Sequence, residues 1–135
     1  MFGLGRYGGR LLAQLKAEGV DALGVDFDPQ AVRELHARGL PVRYGDGEDP
    51  DFLESLPLSR TRWVVSSLPQ WESNRALLHA LRVAGFRGEF VGAARDAAHG
   101  RALAAAGVKQ VLHPFDDGAD HAARRIAGLL RETRA

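Results

Sequence analysis

Apolar residues in this chain fall into short blocks between polar turns, and the blocks alternate between a helical and an extended pattern. Leu11, Leu12 and Leu15 recur at helical spacing, which predicts a helix over 6–18 that Gly19 stops. ALGVD (22–26) is short and apolar, as a strand buried in a parallel sheet should be. Asp28-Pro29 reads as a helix cap and first helical residue, and Val32, Leu35 and His36 carry that helix towards Gly39. PVRY (41–44) predicts a second strand, and Gly45-Asp46-Gly47 a turn. Asp49-Pro50 repeats the cap signal before Phe52, Leu53 and Leu56. RWVVSSL (62–68) is the strongest strand; Pro69 breaks it, and Trp63 is expected in the core. A helix over 71–84 puts Leu77, Leu78 and Leu81 on one face. EFVGAA (89–94) and KQVLH (109–113) are further strands, separated by a helix that Asp96 caps and Gly107 ends. The last helix spans 117–131, with Ala123, Ile126, Ala127 and Leu130 on one side.

Alternation with short connections means parallel βαβ units. The fold class is α/β: one Rossmann-like, doubly wound parallel sheet with helices on both faces. Only Met1 and Phe2 precede the first glycine turn, so the first strand is expected to be truncated and its neighbours' edges unpaired. The 135 residues fit one domain, and 45% apolar with 26% charged residues is ordinary for a globular chain. A net charge of +1 argues against nucleic-acid binding driven by bulk charge. The absence of cysteine removes disulfides, thiol nucleophiles and Cys-ligated zinc. No apolar run approaches the ~20 residues that span a bilayer.

The candidate chemistry lies at the start. Gly3-Leu4-Gly5-Arg6-Tyr7-Gly8 has the spacing of a phosphate-binding turn that opens a helix. Gly3 permits the tight turn, Gly5 lets a pyrophosphate approach the backbone, and Gly8 lets the helix pack close to the sheet. Free amides and the helix dipole at residues 6–8 attract phosphate. Asp26 ends the next strand, close to the ~20-residue separation of a ribose-binding acid. A carboxylate there favours NAD(H), ADP, ATP or AMP over a 2′-phosphorylated cofactor. The plainer alternative is a glycine turn that only packs a helix, with Asp26 a solvated strand end.

With these residues read, the chain resembles a known family: the RCK N-terminal, or TrkA-N, nucleotide-binding domain of potassium transport regulators. GLGRYGG, GVDFDPQAV, VRYGDGEDPDFLESL, VVSSLPQWESN and AARDAAHGRALAAAGVKQVLHP carry the likeness. The spelling is most similar to domains attached to Kef-type cation/proton antiporters. The resemblance implies that residues 1–135 are one such domain from a larger membrane transporter, on the cytoplasmic side of the inner membrane. It implies Gly3, Gly5, Arg6, Tyr7 and Gly8 against the ligand phosphates, Asp26 on the ribose and Phe27 beside the adenine. It places Asp46 and Gly47 at the adenine edge, Ser66, Ser67 and Leu68 at the crevice, and Arg95 facing it from the fifth strand. The implied ligand is NAD(H) or an adenine nucleotide (AMP, ADP or ATP), and the implied assembly is a homodimer in which the last helix contacts a second subunit.

Other features read more plainly. His113, Asp116, Asp117, Asp120 and His121 match no defined metal spacing and read as an acidic cap on the last helix. Trp71 is either a dimer anchor or a lid over its own loop. No Tyr-x-x-x-Lys pair, cysteine nucleophile or Walker lysine is present, so a sensor is favoured over an enzyme. Two rivals stay open: the cofactor half of an NAD-dependent dehydrogenase, and a dimerisation module without ligand.

Overall fold

Two Asp-Pro pairs set the helix starts in the first half of the chain. The Asp28 carboxylate accepts from the Gln30 N–H at 3.0 Å, and the Asp49 carboxylate from the Asp51 N–H at 3.0 Å. Proline at the first helical position gives up no hydrogen bond there, because that amide has no intrahelical partner. A computed structural model describes residues 1–134. Its elements are α1 (Arg6–Ala17), β1 (Gly24–Asp26), α2 (Pro29–Ala37), β2 (Val42–Tyr44), α3 (Pro50–Glu54), a 3-10 turn (Leu58–Arg60), β3 (Trp63–Ser66), α4 (Trp71–Val83), β4 (Glu89–Ala93), α5 (Ala97–Ala105), β5 (Gln110–Leu112) and α6 (Pro114–Arg134). The last helix starts earlier and ends later than its apolar pattern predicts, and the 3-10 turn has no counterpart in that pattern.

All strand pairs are parallel: β1 with β2, β3 with β4, and β4 with β5. One residue joins the two groups. Phe2 bridges to Val25 on one side and to Ser66 on the other. Its N–H donates to Val65 O at 2.8 Å, and its carbonyl accepts from the Ser67 N–H at 2.9 Å. The first strand is therefore as short as expected, but the edges beside it are not left wholly unpaired. Phe2 completes the order β2–β1–Phe2–β3–β4–β5 and carries the chain straight into the glycine turn.

The larger core packs α3, α4 and α5 against one face of the sheet. Phe2, Val25 and Val64 meet Leu53, Leu77, Leu81, Phe86 and Leu103 there. A smaller cluster of Leu4, Leu12, Leu35 and Leu40 holds α1 and α2 to the other face. Trp63 departs from expectation: it is 52% exposed. Strand alternation turns Trp63 and Val65 away from the face that buries Val64 and Ser66. α6 runs on from β5 without burying any residue. Trp71 packs partly buried against the larger core.

The Met1 amine donates to Leu23 O at 2.8 Å inside the sheet. Burial there lowers it from 8.0 to about 6. Between these values the unfolded chain takes up a proton that the folded chain resists. For a polypeptide whose free amine is at Met1, stability therefore falls as pH drops from 8 to 6 and levels off below, with a loss of as much as about 2–3 kcal/mol. Urea unfolding across this window, with the N-acetylated chain as reference, measures the effect.

Candidate functional site

Asp26 and the glycine turn meet across the C-terminal ends of the central strands. The Asp26 carboxylate accepts from the Leu4 N–H at 2.7 Å through Oδ2 and from the Asp28 N–H at 2.9 Å through Oδ1. One acid thus ties the bend to the start of α2. A carboxylate has about four acceptor positions, so two remain for a ligand. The Asp26 carbonyl also accepts from the Gly45 N–H at 3.0 Å, which draws the loop after β2 towards the same place.

The bend is built from backbone. Gly3 has φ +90°, which only glycine adopts without strain. The Ser67 hydroxyl donates to the Gly3 carbonyl at 2.8 Å and locks the bend to the end of β3. A Cβ on Gly8 would drive into that same carbonyl, so α1 and the bend touch as closely as backbones can. A Cβ on Gly5 would meet nothing within 4 Å. Gly5 caps α1 without any side-chain hydrogen bond. The amides of Arg6, Tyr7 and Gly8 lack intrahelical acceptors, so they offer donors and a positive dipole end to an anion.

Gly3, Gly5, Arg6, Tyr7, Gly8, Asp26, Phe27, Asp46, Gly47, Ser67 and Leu68 line one cleft of about 700 Å³. Its place, outside the carboxyl ends of the strands where the strand order reverses, is where open α/β sheets take ligands. A second, shallower hollow of about 740 Å³ lies at the opposite ends of β1 and β2, and no predicted residue lines it.

Residues 1–114 match the TrkA-N domain. The chain belongs to the TrkA-N domain family. It is 30% identical over 120 residues to the glutathione-regulated potassium-efflux system protein KefC of Cronobacter sakazakii, covering 87% of this chain and 19% of that protein. The chain thus spans about a fifth of the length of the curated relatives it matches. Among solved structures, an NAD(P)-binding domain of an exopolyphosphatase-related protein from Archaeoglobus fulgidus superposes with TM-score 0.80 at 23% identity, covering 94% of this chain and 95% of that one. The Kef C-terminal domain of Shewanella denitrificans in its AMP-bound form superposes with TM-score 0.72 at 21% identity, covering 95% of this chain and 79% of that one. These likenesses establish the Rossmann-like fold.

Two predicted site residues of this TrkA-N domain do not line the cleft. Ser66 is fully buried. Its hydroxyl donates to Asn74 Oδ1 at 2.6 Å and accepts from the Leu68 N–H at 3.2 Å. Strand alternation points Ser66 into the core, while its neighbour Ser67 reaches the bend. Arg95 lies beyond the cleft on the loop after β4, with Nε 3.8 Å from Asp96 on the exposed surface. Its backbone N–H donates to His99 Nδ1 at 3.1 Å. These contacts hold that loop against α5 rather than against the cleft.

Asn74 is the functional support that the ligand-contact reading passed over. Its Nδ2 donates to the carbonyls of Leu68 and Gln70, each at 2.9 Å, and fixes the loop that floors the cleft. The only signal in the sequence is an asparagine in the first turn after Ser-Ser-Leu-Pro. Glu48, Gln70 and Ser73 also reach the cleft without any motif to mark them.

The remaining groups have local roles. Phe27 is 67% exposed at the cleft edge, leaving its ring free for a flat partner. Asp46 Oδ1 accepts from the Glu48 N–H at 2.9 Å and shapes its turn. Burial, and secondarily the Asp117 carboxylate, raise the Tyr7 phenol above its ordinary value. Asp117 Oδ2 accepts from the His113 N–H at 3.3 Å, and Asp120 pairs with Arg124 along α6. Among the described residues no three His, Asp or Glu side chains converge to hold a metal ion. No described helix is long and apolar enough to cross a membrane.

Proposed function

We propose that this TrkA-N domain is a non-enzymatic sensor of NAD(H) or an adenine nucleotide (AMP, ADP or ATP) that regulates potassium or cation/proton transport. One observation carries the reading: Asp26 is held 2.7 Å from the glycine bend, at the mouth of an open cleft. That arrangement offers acceptors to a ribose diol beside amides that attract phosphate. Arg6 supplies the cation, Phe27 an adenine-sized face, and the Asp46-Gly47 turn the adenine edge. The cleft lining holds no histidine, lysine or cysteine.

The domain is one part of a longer membrane transporter, works on its cytoplasmic side, and pairs as a homodimer. The KefC relative and the Kef C-terminal domain support this placement. Ligand must favour one arrangement of the paired domains over another to be felt by the transporter. Coupling of about 1–3 kcal/mol is usual for such switches.

Thermal unfolding with NAD⁺, NADH, AMP, ADP and ATP tests the sensor. A ligand at about 100 times its Kd stabilises the native state by about 2.7 kcal/mol, which raises Tm by several degrees. No shift with any of the five leaves only a dimerisation module. Oxidation of NADH with a small carbonyl compound would point to a dehydrogenase half instead.

A further inference from the structure

The net charge of +1 conceals a polarity along the strand direction. In a parallel sheet each crossover helix starts near the carboxyl ends of the strands and finishes at their amino ends. The cleft end accordingly carries the acidic helix caps Asp28, Asp49 and Asp96. The opposite end is basic. Lys16 and Arg82 stand in the last turns of α1 and α4, and Arg38 caps the end of α2. Arg62, Arg87 and Lys109 lie on the approaches to β3, β4 and β5. All six are exposed, and they outnumber the carboxylates of Glu18, Asp21 and Glu89 at that end.

Helix ends attract cations, and part of the pattern has that cause. Lys16 Nζ donates to Gly39 O at 2.6 Å, and the Arg87 guanidinium donates to Arg82 O at 3.1 Å. Arg62 and Lys109 hold no such carbonyl, and among the described residues no ion pair forms at this end. Nor do helix dipoles explain the apolar side chains left in water beside the cations. Val20, Trp63 and Val83 are 48%, 52% and 70% exposed. Val20 follows α1, Trp63 opens β3 next to Arg62, and Val83 closes α4 next to Arg82.

Strand starts and helix ends of a doubly wound sheet lie at one level, so these groups share a broad surface. A bilayer is also a plane. Anionic headgroups attract each nearby basic side chain, and an indole settles at headgroup depth. An acidic protein segment would meet the same cations, but the spread of charge over the whole end and the exposed indole suit a membrane better.

We propose that this basic end docks on a membrane surface rich in anionic lipid. Arg62 and Arg82 supply charge, and Trp63 is the apolar anchor. The cleft lies at the other end of the strands, so it opens away from the bilayer, where solutes reach it. The proposal does not depend on the ligand assigned to the cleft.

Cosedimentation of the full chain with vesicles of equal parts phosphatidylglycerol and phosphatidylcholine tests this, with pure phosphatidylcholine vesicles as reference. The expected result is binding to the anionic vesicles only, lost as salt is added. Arg62→Gln combined with Arg82→Gln should weaken it about thirtyfold, at about fivefold for each charge removed. Arg75→Gln combined with Arg95→Gln removes two exposed cations of α4 and of the loop after β4, and should leave binding unchanged. Tryptophan emission should shift to the blue on the anionic vesicles. Trp63→Phe should abolish that shift and Trp71→Phe should keep it. Circular dichroism checks that each variant is folded. No binding to the anionic vesicles overturns the proposal, and so does equal binding to pure phosphatidylcholine. Unchanged binding by the Arg62, Arg82 variant, an equal loss in the Arg75, Arg95 variant, or a blue shift that survives Trp63→Phe each does the same. A chain that binds polyglutamate and not the vesicles has a surface for an acidic protein, and the membrane assignment fails. Nucleotide binding is read separately and is untouched by any of these results.

Discussion

Replacing Asp26 with asparagine should lower both stability and nucleotide affinity, and by amounts that can be measured apart. The carboxylate receives two backbone N–H groups, from Leu4 at 2.7 Å and Asp28 at 2.9 Å. An asparagine of the same shape has one oxygen. Its NH₂ group would face a second donor, leaving one amide unpaired or forcing the bend to shift. The Leu4 amide is part-buried, so water cannot fully replace the lost acceptor. Loss of hydrogen bonds to a charged group costs about 1.5–3 kcal/mol, read as a lower urea midpoint with unchanged slope. Ligand affinity should fall further, by about tenfold to a hundredfold, because the ribose diol loses its charged acceptor. Asp26→Glu separates geometry from charge. It keeps the carboxylate but extends it by one methylene, so it cannot serve both amides from the same position. If Asp26→Asn binds AMP like the parent while losing stability, Asp26 is a structural clamp and the ribose assignment is wrong.

The double duty of Asp26 shows what was legible in the sequence. The glycine spacing and an acid at the end of the following strand were enough to place both at one cleft. Two readings of Asp26 were open, ribose acceptor or solvated strand end. The structure adds a feature neither included: the acid grips the bend itself. Such a contact spans 22 residues of chain and leaves no local pattern to read. The strands were legible because buried parallel strands are apolar runs between Gly, Pro and Asp signals. Their faces were less so. Trp63 was expected inside from its apolar run, yet strand alternation turns it to the face opposite Val64, where it is exposed. Ser66 and Ser67 are chemically alike, and one step of alternation sends the first to Asn74 and the second to the bend. Arg95 fits a motif, but its loop folds back on His99 and Asp96. Phe2 shows the opposite case. A two-residue remnant looked too short to join the sheet, yet Phe2 bonds the β3 side through its own N–H and C=O while the Met1 carbonyl and the Gly3 N–H bond Val25 of β1.

Gly5→Ala and Gly8→Ala should separate the cleft from the fold. The two glycines stand three residues apart in one motif and do different physical work. At Gly8 an added Cβ would drive into the Gly3 carbonyl and lie 2.7 Å from Ser67 Oγ. The carbonyl cannot move freely, since the Ser67 hydroxyl holds it and Gly3 already sits at φ +90°. α1 must then lift from the bend, taking Leu12 out of the smaller core. Overpacking of this kind costs about 1–3 kcal/mol, and helix propensity returns about 1 kcal/mol of it when glycine becomes alanine. A backbone obstacle belongs at the upper end, so a net loss of about 2 kcal/mol is expected, with binding lost as the bend distorts. At Gly5 the Cβ meets no protein atom within 4 Å, and φ is −72°. Stability should change by less than about 1 kcal/mol, the penalty of alanine at a helix cap. The new methyl would instead stand in the open cleft, where a phosphate has to reach the amides of residues 6–8. Urea unfolding together with AMP titration of both variants gives four numbers. Gly8→Ala should lose stability and binding together, and Gly5→Ala binding alone. Full AMP affinity in Gly5→Ala would mean that the phosphate does not sit on this bend.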